Sequence, residues 1–265
     1  MTKHDKTLLN RPRISWFTSV PPVALLCAAG ILFATHGFAE NRKQQGVEDW
    51  PNLGRFRAEN AKLPPPAANE KRIVFMGDSI TDFWGRTVGK FFPGKPYINR
   101  GISGQTTPQM LIRFRYDVID LKPRAVVILA GTNDLAGNTG PEPIEEIEGN
   151  LASMAELAET HGIRVILASL TPVCDLGKQM QTERRPPAKI VALNQWIRDF
   201  CARNGSLYLD YYSAMINDKA MLKSELTADG LHPNEAGYNV MAPLAEEAIA
   251  EALGQSPPAP PAATK

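Results

Sequence analysis

Four short segments carry side chains that could together perform acyl transfer. A serine hydroxyl is a weak nucleophile at neutral pH, so it needs a base within hydrogen-bond reach and a third group that fixes the tautomer of that base. Ser79, His232 and Asp229 are residues of the required types. The segments are Gly77-Asp78-Ser79-Ile80, Asn99-Arg100-Gly101, Gly131-Thr132-Asn133-Asp134 and Asp229-Gly230-Leu231-His232-Pro233. This set predicts serine attack on the carbonyl carbon of an ester.

The same segments contain donors for the negative charge that develops on the carbonyl oxygen. Such an oxyanion is stabilised by hydrogen-bond donors that are already aimed at its position. We predict that these donors are the backbone N–H groups of Ser79 and Gly101 and the side-chain amide of Asn133. A glycine at 101 would let the backbone approach a ligand closely. An ordinary loop glycine and a turn-forming asparagine are the structural alternatives.

The choice of base rests on elimination among four histidines. His4 and His36 fall within a predicted export signal. His161 stands at a predicted helix end, where an imidazole can meet the exposed carbonyl groups. His232 lies in a loop and has no such local explanation, so we predict it to be the base rather than an ordinary loop histidine.

Two acidic residues compete for the role of orienting the histidine. Asp229 precedes His232 by three residues, so a carboxylate-to-imidazole hydrogen bond within that turn is local. Asp78 is adjacent to Ser79, and we assign it supporting hydrogen bonds. Ser79 follows an apolar run and opens a helix, so its structural alternative is that of a helix N-cap.

The reactive residues follow segments that are typical of buried strands. Strand patterns alternate with helix patterns, which predicts an α/β fold: a three-layer α/β/α sandwich with a flavodoxin-like five-stranded parallel sheet. In such a sheet, side chains that follow the strands meet at the carboxyl edge. The predicted strands lie near 73–76, 97–99, 125–130, 164–169 and 206–209, and the longer helices near 107–120, 143–160, 188–203 and 235–252.

These ordered blocks resemble the SGNH hydrolases, also called the GDSL esterase and lipase family. The family is named for residues that match Ser79, Gly101, Asn133 and His232, and its triad acid matches Asp229. The resemblance covers roughly 71–253 and has one departure, an isoleucine at position 80 where the family name has leucine. It implies a serine esterase that needs no cofactor or metal and acts on short acyl esters, including those of acetylated sugars or polysaccharides.

Two other functions stay open at this point. Lysophospholipid or thioester cleavage would use the same residues on a different substrate. A non-catalytic glycan-binding module could keep the fold without turnover. The Gly-x-Ser-x-Gly elbow of the α/β-hydrolases is absent around Ser79, which argues against that other serine esterase fold.

Composition changes along the chain predict four regions. Basic residues, an apolar stretch and then small residues predict an export signal over 1–39, cleaved after Ala39, with an uncleaved membrane anchor as the alternative. A helical extension with a proline-rich link is expected over 40–70, the catalytic domain over 71–253 and a disordered Pro/Ala-rich tail over 254–265. The enzyme is therefore expected in the periplasm or outside the cell.

One predicted loop, over 171–187, leaves the carboxyl end of a strand and should overhang the site. Its Arg184 and Arg185 could bind an anionic part of the substrate, although solvated charges are the alternative. Trp84 could line the acyl pocket, or it could belong to the core. These residues are predicted as the substrate rim.

The charge of the chain argues against one class of partner, the nucleic acids. The chain has a net charge of +1, and the 25 basic and 27 acidic residues from position 40 onward give −2, which does not suit a nucleic-acid binder. A small-molecule or carbohydrate ester is the expected partner, and the oligomeric state is left open.

Beyond the signal, Cys174 and Cys201 could form a disulfide, but two free buried thiols are the favoured interpretation.

Overall fold

A computed structural model describes residues 49–254 of the 265-residue chain. Its centre is a five-stranded sheet in which every pairing is parallel and the strand order is β2-β1-β3-β4-β5. The strands are β1 (Ile73–Gly77), β2 (Tyr97–Gly101), β3 (Ala125–Leu129), β4 (Arg164–Ala168) and β5 (Leu207–Leu209). The predicted α/β fold and flavodoxin-like order are confirmed.

Helices of very different length connect the strands. Four long ones, α3, α5, α7 and α9, pack on the sheet, and five short ones lie in the connections. The described helices are α1 (Arg57–Lys62), α2 (Ser79–Phe83), α3 (Thr107–Asp117), α4 (Thr132–Leu135), α5 (Ile144–Thr160), α6 (Gln181–Arg184), α7 (Pro187–Asn204), α8 (Tyr211–Met215) and α9 (Glu235–Ala252). Two 3-10 turns add Ile119–Leu121 and Ser224–Leu226.

The central strands are buried on both faces, which explains their continuous apolar sequences. Every residue of β1 and β3 is buried. Successive side chains point to opposite faces, so Val74 and Val126 join the layer under α3, α5 and α7, whereas Phe75 and Val127 join the layer under α9. Two hydrophobic cores therefore hold the sheet between them.

The strand register brings the predicted reactive segments to one edge. Gly77 at the end of β1 pairs with Gly101 on one side and with Leu129 on the other. A Cβ at Gly77 would collide with the side chain of Thr81 and lie 2.9 Å from the Leu129 carbonyl oxygen. Glycine at this position lets the chain turn from β1 directly into α2.

The segment before β1 is less helical than the extension predicted over 40–70. Its helix is confined to α1, because the Asp49 carboxylate accepts hydrogen bonds from the N–H groups of Leu53 and Gly54 at 2.8 and 2.7 Å and forms a turn instead. The Asn60 amide on α1 donates to Asp117 at 2.7 Å, which joins α1 to α3. The helix therefore lies on the body of the fold.

Of the remaining predictions about the chain, the one about the cysteines falls within residues 49–254, and those about the two ends fall almost entirely outside them. Cys174 and Cys201 are both free and buried, and they lie in the two different cores on opposite faces of the sheet. The export signal, its cleavage after Ala39 and nearly all of the predicted tail fall outside the described residues. Within 49–254, no helix is long and apolar enough to cross a membrane.

Candidate active site

The turn after β1 places Ser79 at the start of α2. The carboxylate of Asp78 caps this helix by accepting a hydrogen bond from the Ile80 N–H at 2.9 Å. The Ser79 side chain faces His232, with 2.9 Å between Oγ and Nε2. The Ser79 backbone N–H donates to no acceptor among residues 49–254, so it is free to bind a ligand.

The turn between the last 3-10 segment and α9 holds the histidine by local hydrogen bonds. Asp229 Oδ1 accepts from the backbone N–H groups of Leu231 and His232 at 3.0 and 2.8 Å. Asp229 Oδ2 lies 2.5 Å from His232 Nδ1. A carboxylate can only accept, so Nδ1 carries the proton and Nε2 faces the Ser79 hydroxyl as an acceptor.

The ionisation of Asp229 reflects two opposing effects. Partial burial alone would raise the pKa of Asp229. Hydrogen bonds from the His232 side chain and from the His232 and Leu231 backbone outweigh burial and lower the pKa below its ordinary value. Asp229 is therefore anionic and suited to stabilise a positively charged imidazole.

Thr227 and Gly230 give this turn its shape. The Thr227 hydroxyl donates to the His232 carbonyl at 2.8 Å and accepts from the Gly230 N–H at 3.0 Å. Gly230 has φ +81°, and a Cβ there would collide with the Cys174 carbonyl oxygen. Only glycine fits this conformation and this close approach.

The Gly101 amide does not serve as predicted. Its N–H donates to Asn99 Oδ1 at 2.9 Å, so it is already paired within β2. A Cβ at Gly101 would collide with the backbone of Asp82, so close packing against α2 explains the glycine. The predicted oxyanion role of Gly101 is therefore wrong.

A second glycine in the same loop offers the free amide instead. The Gly104 N–H donates to no acceptor within residues 49–254, and its φ of +80° suits glycine. Its neighbour Ser103 is anchored by Asp82 Oδ2, which accepts from the Ser103 N–H at 3.2 Å and hydroxyl at 2.7 Å. The pair Ser103-Gly104 was visible in the sequence, but local pattern could not rank it above Gly101.

Asn133 presents its amide from the turn that follows β3. Its Nδ2 donates to the Gln105 carbonyl at 3.0 Å, and its Oδ1 accepts from Arg185 Nη2 at 3.2 Å. A primary amide has two N–H donors. One of them remains for a ligand, next to the loop that contains Gly104.

Comparison with known proteins shows the family of this chain. The model of the GDSL-like Lipase/Acylhydrolase family matches residues 75–240, which is more than half of the chain. The chain belongs to this family. The crystal structure of a GDSL-like lipase from Bacteroides thetaiotaomicron has 45% sequence identity and a TM-score of 0.71, and the match covers 76% of this chain and 98% of that one.

Two curated relatives are also similar to this GDSL hydrolase. An acetylxylan esterase from Geobacillus stearothermophilus is 26% identical over 207 residues, which are 65% of this chain and 90% of the relative. The uncharacterized lipoprotein YqeF of Bacillus subtilis is 38% identical over 81 residues, which are 29% of this chain. The match thus spans only 33% of that lipoprotein, and its name is compatible with export.

The predicted rim of this hydrolase is only partly at the surface. Arg184 is exposed and donates to the Ala136 carbonyl at 3.2 Å and Asn138 Oδ1 at 2.9 Å. Arg185 is 3% exposed, because it points inward from the end of α6. Trp84 is 2% exposed and belongs to an aromatic cluster in the core, where it stacks on Tyr238. Trp84 and Arg185 are therefore not rim residues.

One aromatic contact of the site was missed by sequence reasoning. The ring of Phe83 at the end of α2 lies 5.0 Å from the ring of His232, centroid to centroid.

The other histidine of the described region, His161, lies at the end of α5, with Nδ1 2.8 Å from the Leu157 carbonyl oxygen. Its predicted role at a helix end is confirmed.

Asp78, which is adjacent to Ser79, has an unusual electrostatic environment. Complete burial raises its pKa to about 7, opposed by the hydrogen bond from the Ile80 N–H and increased further by the nearby Asp134. Its Oδ2 has no hydrogen-bond partner within the described part of the chain. The predicted supporting role is limited to the Oδ1 cap of α2.

Proposed function

We propose that this GDSL hydrolase is a serine carboxylic ester hydrolase that works through an acyl-enzyme. One observation carries the proposal: the continuous hydrogen-bond chain from Ser79 Oγ to His232 Nε2 at 2.9 Å and from His232 Nδ1 to Asp229 Oδ2 at 2.5 Å. This chain supplies a nucleophile, a base and an orienting carboxylate in the required order.

In the first half of the reaction, Ser79 Oγ attacks the ester carbonyl carbon while its proton moves to His232 Nε2. Asp229 stabilises the imidazolium that forms. The tetrahedral intermediate then collapses: the bond to the alcohol oxygen breaks, and the leaving alkoxide takes the proton from Nε2. The products of this half are the free alcohol and an ester of Ser79.

In the second half, His232 takes a proton from water, whose oxygen attacks the acyl carbon of the Ser79 ester. The second tetrahedral intermediate expels Ser79 Oγ, which recovers its proton from His232. The carboxylic acid leaves and the free enzyme is regenerated. Both halves need only groups of the described chain and one water molecule.

The oxyanion of both intermediates is assigned to three donors: the backbone N–H groups of Ser79 and Gly104 and the Nδ2 amide of Asn133. Gly104 replaces Gly101 because the Gly101 N–H is already bound to Asn99. Removal of one such donor lowers kcat by about 10²–10³-fold in serine hydrolases.

The proposed substrates are short-chain acyl esters, with acetylated sugars or polysaccharides as the physiological class. The similarity to an acetylxylan esterase and the predicted export signal support this class. A lipolytic reaction on lysophospholipids or thioesters is the second candidate, favoured by the similarity to a GDSL-like lipase. A glycan-binding module without turnover is the third, and it would leave the hydrogen-bonded Ser79 unused.

The proposal is tested by hydrolysis of p-nitrophenyl esters from acetate to octanoate by the purified protein and by Ser79→Ala. Ser153→Ala is the matched control, because within residues 49–254 the Ser153 hydroxyl bonds only to the Gly149 carbonyl of its own helix. We expect kcat to fall by about 10³–10⁶ in Ser79→Ala and to stay unchanged in the control. Equal rates in Ser79→Ala and the wild type would exclude the serine mechanism.

Natural substrates then separate the three candidates. Release of acetate from acetylated xylo-oligosaccharides supports the sugar esterase, and faster release of fatty acid from lysophosphatidylcholine supports the lipolytic enzyme. If no ester is cleaved while xylo-oligosaccharides bind in calorimetry, the binding module is the better description.

A further inference from the structure

Arg185 is a buried cation beside the proposed oxyanion site. It follows α6, and its side chain points inward so that only 3% of the residue is exposed. The guanidinium donates to Thr132 Oγ1 at 3.1 Å, to Gln181 Oε1 at 2.9 Å and to Asn133 Oδ1 at 3.2 Å. All three acceptors are neutral, and no carboxylate of residues 49–254 forms an ion pair with it.

This burial of an unpaired charge makes an unfavourable contribution to the free energy of folding. A buried charge is costly unless it is paired, and a guanidinium cannot avoid the cost by losing its proton. Burial lowers the pKa of Arg185, and the positive charge of Arg184 lowers it further, whereas the more distant carboxylates of Asp78 and Asp229 raise it. A neutral side chain of similar length could fill this space at a lower cost of desolvation, so the charge has to be explained by what it touches.

The contact with Asn133 has a direct chemical consequence. Arginine can only donate hydrogen bonds, so the Asn133 amide must present Oδ1 to it, and the Gln105 carbonyl on the other side accepts from Nδ2. Both ends of the amide are therefore fixed, and one N–H is left pointing elsewhere. Donation from a cation to Oδ1 also polarises the amide, which makes that remaining N–H a stronger donor.

We propose that Arg185 is a positioning residue that orients and polarises the Asn133 amide for the oxyanion. This inference rests on the proposed esterase function and deepens it. It also changes the role of the loop over 171–187: through Arg185 the loop acts on the reacting centre from within the protein. The effect of Arg185 should appear in the transition state, where the oxyanion forms, and hardly in substrate binding.

The first test compares kcat and KM on p-nitrophenyl acetate for Arg185→Met, Arg185→Lys and the control Arg203→Met. We expect kcat to fall about 10–100-fold in Arg185→Met, somewhat less than complete loss of one oxyanion donor, with KM nearly unchanged. Arg185→Lys keeps the charge but loses the planar fork of donors, so its kcat should lie between those of the wild type and Arg185→Met. Arg203→Met should match the wild type, because Arg203 is an exposed arginine in the last turn of α7, away from the site.

The second test is a double-mutant cycle that separates this role from a merely structural one. If Arg185 acts through Asn133, then Arg185→Met should cost little further kcat once Asn133→Ala is in place. Equal losses of kcat in the wild-type and Asn133→Ala backgrounds would overturn the proposal, as would wild-type kcat in Arg185→Met. Should Arg185→Met fail to fold, judged by its melting curve, the same cycle is measured with Arg185→Lys and is interpreted in the same way.

Failure of this inference is distinguishable from failure of the proposed function. If Ser79→Ala abolishes turnover and Arg185→Met does not alter it, the esterase stands and the role of Arg185 is excluded. If the wild type shows no Ser79-dependent turnover on any ester, the proposed function falls, and the assigned role of Arg185 falls with it.

Discussion

Two turns meet at the site, and they are held in place by different forces. The turn over 77–80 carries the proposed nucleophile and is called the nucleophile turn. It is immobilised by packing: Asp78, Ser79 and Ile80 are 0%, 5% and 1% exposed. The turn over 227–233 carries the proposed base and is called the base turn. It is nearer to solvent, since the side chains of His232 and Asp229 are 25% and 30% exposed, and a local hydrogen-bond network shapes it. Deep burial can position a neutral hydroxyl, whereas a residue that must gain charge needs access to polar partners.

The two aspartates of these turns illustrate the difference. Both have the same ordinary pKa, but burial raises the pKa of Asp78 to about 7, and hydrogen bonds from His232 and Leu231 outweigh burial and lower that of Asp229. Depth of burial and the number of donors together decide the sign, because Asp78 is completely buried whereas Asp229 is partly exposed and accepts more hydrogen bonds. Only Asp229 has the environment of a permanent anion, which is what an imidazolium requires as its partner.

Loss of the charge in the base turn should have the largest effect. Asp229→Asn can donate a hydrogen bond where the carboxylate only accepts, so it favours the wrong tautomer of His232. We expect kcat on p-nitrophenyl acetate to fall by about 10⁴, as for the corresponding change in serine proteases. The melting temperature should change little, since the Oδ1 of asparagine can still accept from the backbone N–H groups of Leu231 and His232. A kcat within tenfold of the wild type would remove Asp229 from the mechanism.

Loss of the hydroxyl that shapes the base turn should have an intermediate effect. Thr227→Val keeps the volume but removes the bonds to the His232 carbonyl and the Gly230 N–H. We expect the free energy of unfolding to fall by about 1–3 kcal/mol, because buried polar groups lose their partner. Since the turn positions His232, kcat should fall as well. Urea unfolding and kinetics on the same preparation check both effects, and Thr182→Val, which removes an exposed hydroxyl bound to Asp175, is the control.

The smallest effect on activity is expected for the buried acid of the nucleophile turn. Asp78→Asn still caps α2 but cannot ionise. In the wild type the raised pKa stabilises the fold fully below about pH 4, and this contribution is lost as the pH rises to about 7, because the unfolded chain releases its proton first. Between pH 5 and pH 8, the stability of Asp78→Asn relative to the wild type should rise by about 3 kcal/mol.

Urea unfolding of both proteins at the two pH values measures this difference. Asp134 contributes to the raised pKa and Arg185 opposes it, and both remain in the variant, so their own titration largely cancels. A stability difference that does not depend on pH would show that Asp78 is ionised in the folded protein throughout.

Sequence reasoning worked best where a feature depends on neighbours along the chain. The uninterrupted apolar runs of β1 and β3 predicted buried parallel strands, because such runs fit a sheet covered on both faces. Asp229 and His232 are three residues apart, and their hydrogen bond was predicted from that spacing. The extent of α1 was not, since the Asp49 side chain competes with the helix for the backbone N–H groups of Leu53 and Gly54.

Other features of the site were decided only when separate loops packed together. Gly101 and Gly104 share one stretch of sequence, but only the folded chain pairs the Gly101 N–H with Asn99 and leaves that of Gly104 unbound within the described residues. Arg184 and Arg185 are adjacent in sequence, yet Arg184 faces solvent and Arg185 faces Asn133. The sequence alone determined which reactive groups exist and that they follow parallel strands. The tertiary structure decided which donors are free and how burial changes each charge, because desolvation and hydrogen-bond competition depend on groups far apart in the chain.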